Sequence, residues 1–258
     1  EEEEKGGGFM NQSTLDQLTM SLKDYNATAY ELMETVSGSM EKVALLLLLL
    51  FMGINLMNWH QHLKSNGGEL SFQLWIEEIL KYAIALFFIL YVDAIFDALS
   101  WLVNVIIKSI ASLGIKEIKN DVELSWSNLN WAAKSMLQFV YNVVDFIGQI
   151  STKLLILLRS FTLYTYKGIA KIIVACYMVD SLRPICFGFF KLYIAAILQG
   201  LILVVIIMLY PAIVTNDILT VDKTGAWTSA LVAIAKGIIY IIMLFGSQRM
   251  AKNIMQVN

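Results

Sequence analysis

Asp93, Asp97, Ser100, Asn104 and Lys108 follow one another at steps of four, three, four and four, a spacing that places all five on one face of a helix. The segment that carries them opens with YAIALFFILYV, an apolar run suited to a bilayer. A charged group at mid-bilayer costs at least ~2.5 kcal/mol on insertion scales, so it normally faces a partner or water. Three readings follow. The face carries ion pairs that only fix helix packing, it lines a hydrated or substrate-conducting path, or this half of the helix lies outside the bilayer. A second seam, Ser135, Gln138, Asn142, Asp145, Gln149, Thr152 and Arg159, keeps a heptad-like register from a polar segment into an apolar one. If the two apolar segments run antiparallel, Arg159 reaches the depth of Asp93 and Lys153 that of Asp97. Those are the expected pairs. The second seam either meets the first or lines a channel between subunits.

Other chemistry is absent from the sequence. No GxxxxGK[ST] phosphate loop occurs, and no Ser/His/Asp or Cys/His arrangement can be nominated. His60 and His62 form an isolated H-x-H beside Trp59. Two ligands at that spacing make no metal site without carboxylate or thiol partners. Cys176 and Cys186 form no CxxC and read as small apolar core residues. The expectation is therefore a protein without catalytic, cofactor-binding or metal-ligating residues, and not an enzyme.

The elements that must position the two seams follow from composition. Of 258 residues, 58% are hydrophobic and 16% charged, where soluble domains carry roughly 25% charged residues. The fold expected is all-α, a polytopic transmembrane helical bundle of about five spans plus an amphipathic N-terminal helix, with the lipid bilayer as its first partner. A crossing needs ~20 residues. The spans fall at about 43–59, 82–107, 146–166, 192–216 and 227–247. Residues 10–42 read as the amphipathic helix, opened by a capping-box-like Ser13 and Asp16. Its apolar stripe is Leu15, Leu18, Leu22, Tyr25, Ala29, Leu32 and Val36. The transmembrane domain then occupies 43–258, interrupted by a loop at 108–145 that contains an amphipathic helix from Leu124 to about Asp145. The stretch 167–191 is apolar yet holds Lys171, Asp180 and Arg183, and reads as a cytoplasmic-side amphipathic or re-entrant element. Residues 1–9 read as a tag or unregistered segment. Their four Glu and one Lys outweigh the whole net charge of −2, so the acidic balance says nothing about partners.

Basic residues in short flanks set the expected orientation. Lys167, Lys171, Arg183 and Lys191 precede the fourth span, and Arg249 and Lys252 follow the fifth. The link between those spans has one lysine, Lys223, against two aspartates. The expected topology has the N-terminus and the loop 108–145 outside and the C-terminus in the cytoplasm.

The stretch DSLRPICFGFFKLYIAAILQGLILVVIIMLYPAIV resembles the C-terminal half of the polytopic inner-membrane subunit of type IV secretion and conjugation machines, the TrbL and VirB-six family. Leu182-Arg183-Pro184 stands where that family has a basic-plus-proline turn. Phe187 and Phe189-Phe190-Lys191 follow as its Phe-rich approach to a long apolar span. The short loop, the last span and the basic tail GSQRMAKNIM are similar to the same pattern, as is an outside N-terminus with a sizeable outer loop. The resemblance covers about half the chain. It implies a non-enzymatic channel subunit in a bacterial inner membrane, oligomerised around a pore. Its partners would be further copies of itself, other secretion-system subunits, and DNA or protein in transit. Two other functions compete with that one. A small-solute transporter lacks support, since no inverted repeat and no matched pair of Gly/Pro-broken spans occurs. A structural membrane scaffold is the third.

Overall fold

A computed structural model describes residues 12–66, 72–112, 130–215 and 226–257. Among these the chain is helical almost throughout and has no strand. The helices are α1 (Gln12–Thr19), α2 (Leu22–Tyr25), α3 (Ala27–Asn66), α4 (Phe72–Ser112), α5 (Trp131–Ala175), α6 (Arg183–Thr215) and α7 (Ala226–Ile254). Five of them, α3 to α7, are long and apolar enough to cross a membrane. The fold class is the expected all-α membrane one. Side chains such as Leu46, Leu49 and Ile79, exposed by 65%, 69% and 58%, make surfaces that suit lipid and not water.

The helices outrun the apolar segments that announce them. α3 has 40 residues, a rod of about 60 Å at about 1.5 Å per residue, twice the ~30 Å of hydrocarbon. The amphipathic residues before Val43 are thus not a separate element. No strong breaker lies between Ala27 and Val43, so the polar and apolar stretches join in one helix. The real breaks come earlier. Ser21 Oγ accepts from the Asp24 amide at 3.1 Å and caps α2, and Asn26 Oδ1 accepts from the Ala29 amide at 2.9 Å at the start of α3. These caps reset the helical phase. The stripe expected through Leu32 and Val36 is therefore displaced by one residue. Leu32 is 64% exposed, while Met33, Ser37, Ala44 and Leu48 are buried.

Two other boundaries differ from expectation. α5 already begins at Trp131, so residues 131–145 belong to the third long helix and not to a loop. The intervening 113–129 and the segment 1–9 lie outside the described residues. The stretch 167–191 is not a separate element. α5 continues to Ala175, a 3₁₀ turn covers Cys176–Met178, and α6 starts at Arg183. The corner is closed by amides of Leu182 and Arg183 donating to the Val179 carbonyl at 2.9 and 3.0 Å. Pro184 follows in the first turn of α6, where its missing N–H costs nothing.

Packing divides the described residues into two compact units. One falls within 1–20, 103–160 and 195–254, the other within 21–102, 161–194 and 255–258. The core of the first includes Leu155, Ile156, Leu203 and Leu244, with the rings of Tyr210 and Tyr240 4.7 Å apart. The core of the second includes Ile89, Val92 and Phe96. There Tyr193 stacks on Phe96 at 3.7 Å, and Phe189 and Phe190 surround the same ring.

Candidate functional site

The second unit buries an ionic network that three helices build together. α3 supplies Tyr30, Ser37 and Glu41, at steps of seven and four, on the stripe that also buries Met33 and Ala44. α4 supplies Asp93 and Asp97, one turn apart, and α5 supplies Lys167 and Lys171, also one turn apart. The four-residue spacing runs in opposite order on α4 and α5, as antiparallel neighbours require. Asp93 meets Lys171, and Asp97 meets Lys167.

Lys171 Nζ lies 2.5 Å from Glu41 Oε2 and 3.2 Å from Asp93 Oδ2. Ser37 Oγ donates to the same Asp93 oxygen at 2.7 Å. Lys167 Nζ lies 2.6 Å from Asp97 Oδ1, donates to Tyr30 Oη at 3.2 Å, and sits 4.8 Å from the Tyr30 ring centre. The two ammonium side chains are almost fully buried, at 1% and 6% exposure, whereas those of Asp93, Glu41 and Asp97 keep 29%, 33% and 48%. The cations are the enclosed members, and the carboxylates reach out to the surface. Three carboxylates face two ammonium groups. The surplus shows locally, because Asp93 Oδ1 is buried and has no hydrogen-bond partner among the described residues.

Asp93 therefore has a lysine, not Arg159, as its ion-pair partner, and Asp97 has Lys167, not Lys153. The depth match failed because the third span was expected to stop at 166. With α5 continuing to Ala175, the residues level with the two aspartates lie between three and four turns further on. The rest of the α4 face is also satisfied. Ser100 Oγ is 3.0 Å from Tyr193 Oη, and Asn104 Nδ2 donates to the Met20 carbonyl at 3.3 Å. Lys108 is exposed.

The second seam finds its partners within the first unit. Gln149 donates to Asp145 at 2.9 Å. Asp145 Oδ1 is buried without a partner among the described residues. Thr152 Oγ1 bonds the Gly148 carbonyl and lies 3.1 Å from Tyr240 Oη. The buried Arg159 donates from Nε to the Ala196 carbonyl at 3.2 Å. Lys153 is exposed, as are Ser135, Gln138 and Asn142 at the other end of the seam. The inner half of the seam is thus met by α6 and α7.

No protein-family model, no curated protein and no solved structure matches this chain.

Several functional-looking residues escaped the reading of the sequence. Lys167 and Lys171 were counted there as cytoplasmic-flank charges, yet both are buried and paired. Their four-residue spacing, complementary to that of Asp93 and Asp97, was the signal that could have found them. Gly200 had no signal at all. A Cβ built there would fall on the guanidinium of Arg159, so only glycine leaves the arginine head its place against α6. Gly200→Ala is expected to displace that head and break its bond to Ala196, but alanine favours the helix by about 0.5–1 kcal/mol, so the net loss should stay within about 1 kcal/mol. Denaturation in mixed micelles reads the loss. The same substitution in an Arg159→Gln background should cost clearly less.

The ionic network has neither a nucleophile paired with a base nor a group of three His, Cys, Asp or Glu side chains placed to hold a metal ion among the described residues. What it does do is tie α3, α4 and α5 in one register.

Proposed function

We propose that the chain is a channel subunit of a type IV secretion or conjugation apparatus, helping DNA or protein across a bacterial inner membrane as part of a homo-oligomeric ring. The observation that carries this reading is the Arg183-Pro184 turn, with the Phe-rich approach and long apolar helix after it, in a chain of five long apolar helices. The exposed half of the α5 seam supports it as well. Ser135, Gln138 and Asn142 share a helix with Met136 and Phe139, exposed by 67% and 68%, and a mixed surface of this kind suits neither lipid nor water alone. Copies of the chain arranged about a wet axis would satisfy it. The role is binding and conduction, without catalysis.

The test is mass and transfer together. The particle extracted in nanodiscs should weigh a multiple of the 29.1 kDa chain, and deleting the gene in its host should abolish conjugative or effector transfer. A monomer that still supports transfer refutes the ring. An intact ring with transfer unimpaired by the deletion favours a structural scaffold. That second reading has its own support, because every charged side chain of the ionic network has its partner within the network.

The orientation proposed is N-terminus outside and C-terminus cytoplasmic. Burial of Lys167 and Lys171 removes two of its basic flanks, so it rests on Arg183, Lys191, Arg249 and Lys252. Cysteines at Ser127 and Asn258, both outside the described residues, test it in a chain whose Cys176 and Cys186 are replaced by serine. An impermeant thiol reagent applied to intact cells should modify the first and spare the second. The reverse pattern overturns the orientation.

A further inference from the structure

The corner between α5 and α6 holds a cavity of about 530 Å³. Its polar lining comes from Asp180, Arg183, Lys191 and Gln256, and its apolar wall from Pro184, Phe187 and Val257. We propose that this cavity binds the phosphate headgroup of an anionic phospholipid, with an acyl chain lying along Phe187.

Three observations converge on that ligand. The first is unused donor capacity. Arg183 spends one arm on Asp180, 2.5 Å away. Its guanidinium lies 5.0 Å from the Tyr177 ring centre, so the plane is already held. The side chain as a whole keeps 35% exposure, so N–H donors not spent on Asp180 remain open to a ligand. A planar guanidinium held in this way is suited to a phosphate oxygen. The second is charge. Lys191, two turns along α6, is exposed and has no ion-pair partner among the described residues. Two cations against the single Asp180 leave the lining one positive charge in excess, which complements a phosphodiester monoanion. The third is place. The cavity lies at the start of α6, where Arg183 and Lys191 directly precede the uncharged run from Leu192 onward, and the charged flank of such a run belongs at the headgroup layer. The wall is greasy at that point, with Phe187 exposed by 55%. A free phosphate ion would use the cations and leave this wall bare; a phospholipid uses both. Basic pockets at membrane-helix ends are known to take acidic headgroups by this combination.

The full chain in mild detergent, examined by native mass spectrometry with phosphatidylglycerol and phosphatidylcholine added in turn, tests the proposal. Phosphatidylglycerol should be retained preferentially. Lys191→Gln, which breaks no ion pair, should weaken that retention about fivefold, the share of one basic side chain. Arg183→Gln with Lys191→Gln should bring it down to the level of phosphatidylcholine. If Arg183→Gln fails to fold for want of its Asp180 pair, Lys191→Gln alone decides. Equal retention of the two lipids, or retention unchanged in Lys191→Gln, overturns the proposal. Displacement of the lipid by millimolar inorganic phosphate would also overturn it, since the site would then recognise the anion without the chain. None of these outcomes depends on oligomeric state or transfer.

Discussion

Lys171→Met is expected to be the most damaging single substitution in the ionic network, costing about 3–5 kcal/mol, the usual loss when one partner of a buried pair is removed. It strands two carboxylates at once, Glu41 and Asp93. Asp93 already has one buried oxygen without a partner, so it has little capacity to absorb the change. Lys167→Met should cost less, although Lys167 is the more deeply buried lysine. It strands only Asp97, one carboxylate where Lys171 holds two. The order of the two losses, measured by unfolding in bicelles followed by circular dichroism, separates this network from a generic cost of deleting buried lysines. The neutral triple variant Glu41→Gln, Asp93→Asn, Lys171→Met should recover most of the stability, because a buried ionic group replaced as a whole is often neutral. A triple variant as unstable as Lys171→Met would show that the charges do more than satisfy one another.

Tyr193→Ala should cost a similar amount, about 3–5 kcal/mol, for a different reason. The ring is fully buried and stacks on Phe96 at 3.7 Å. Between membrane helices, close packing and interhelical hydrogen bonds supply most of the association energy, so a void on the α4–α6 contact is not relieved by lipid. Tyr193→Phe keeps the stack and removes the hydroxyl. That hydroxyl donates to the Phe96 carbonyl at 3.1 Å and lies 3.0 Å from Ser100 Oγ, so its loss should cost only about 1 kcal/mol. A Tyr193→Phe loss as large as that of Tyr193→Ala would place the energy in the hydrogen bonds instead of the ring.

Composition and apolar run length determined the fold class. Five stretches too apolar for water had to become helices, because a helix satisfies every backbone donor and acceptor within itself in lipid. The polar face from Asp93 to Asn104 was legible for the same kind of reason, since helical periodicity alone places those side chains together. The partners of that face were not legible from apolar run length. Hydropathy marks where lipid begins, not where a helix ends. α3 and α5 extend well past their apolar cores, and that shift brought Lys171 and Lys167, in place of Arg159 and Lys153, level with Asp93 and Asp97. The caps at Ser21 and Asn26 acted likewise. They turned the apolar stripe of α3 by one residue, so that Ser37 and Met33 face inward and Leu32 faces out. A break in helical phase is decided by a few backbone hydrogen bonds, and no window of hydropathy registers it. Gly200 is the extreme case. Its role exists only because the head of Arg159, more than forty residues earlier in the chain, lies against that backbone, a proximity that tertiary packing alone creates.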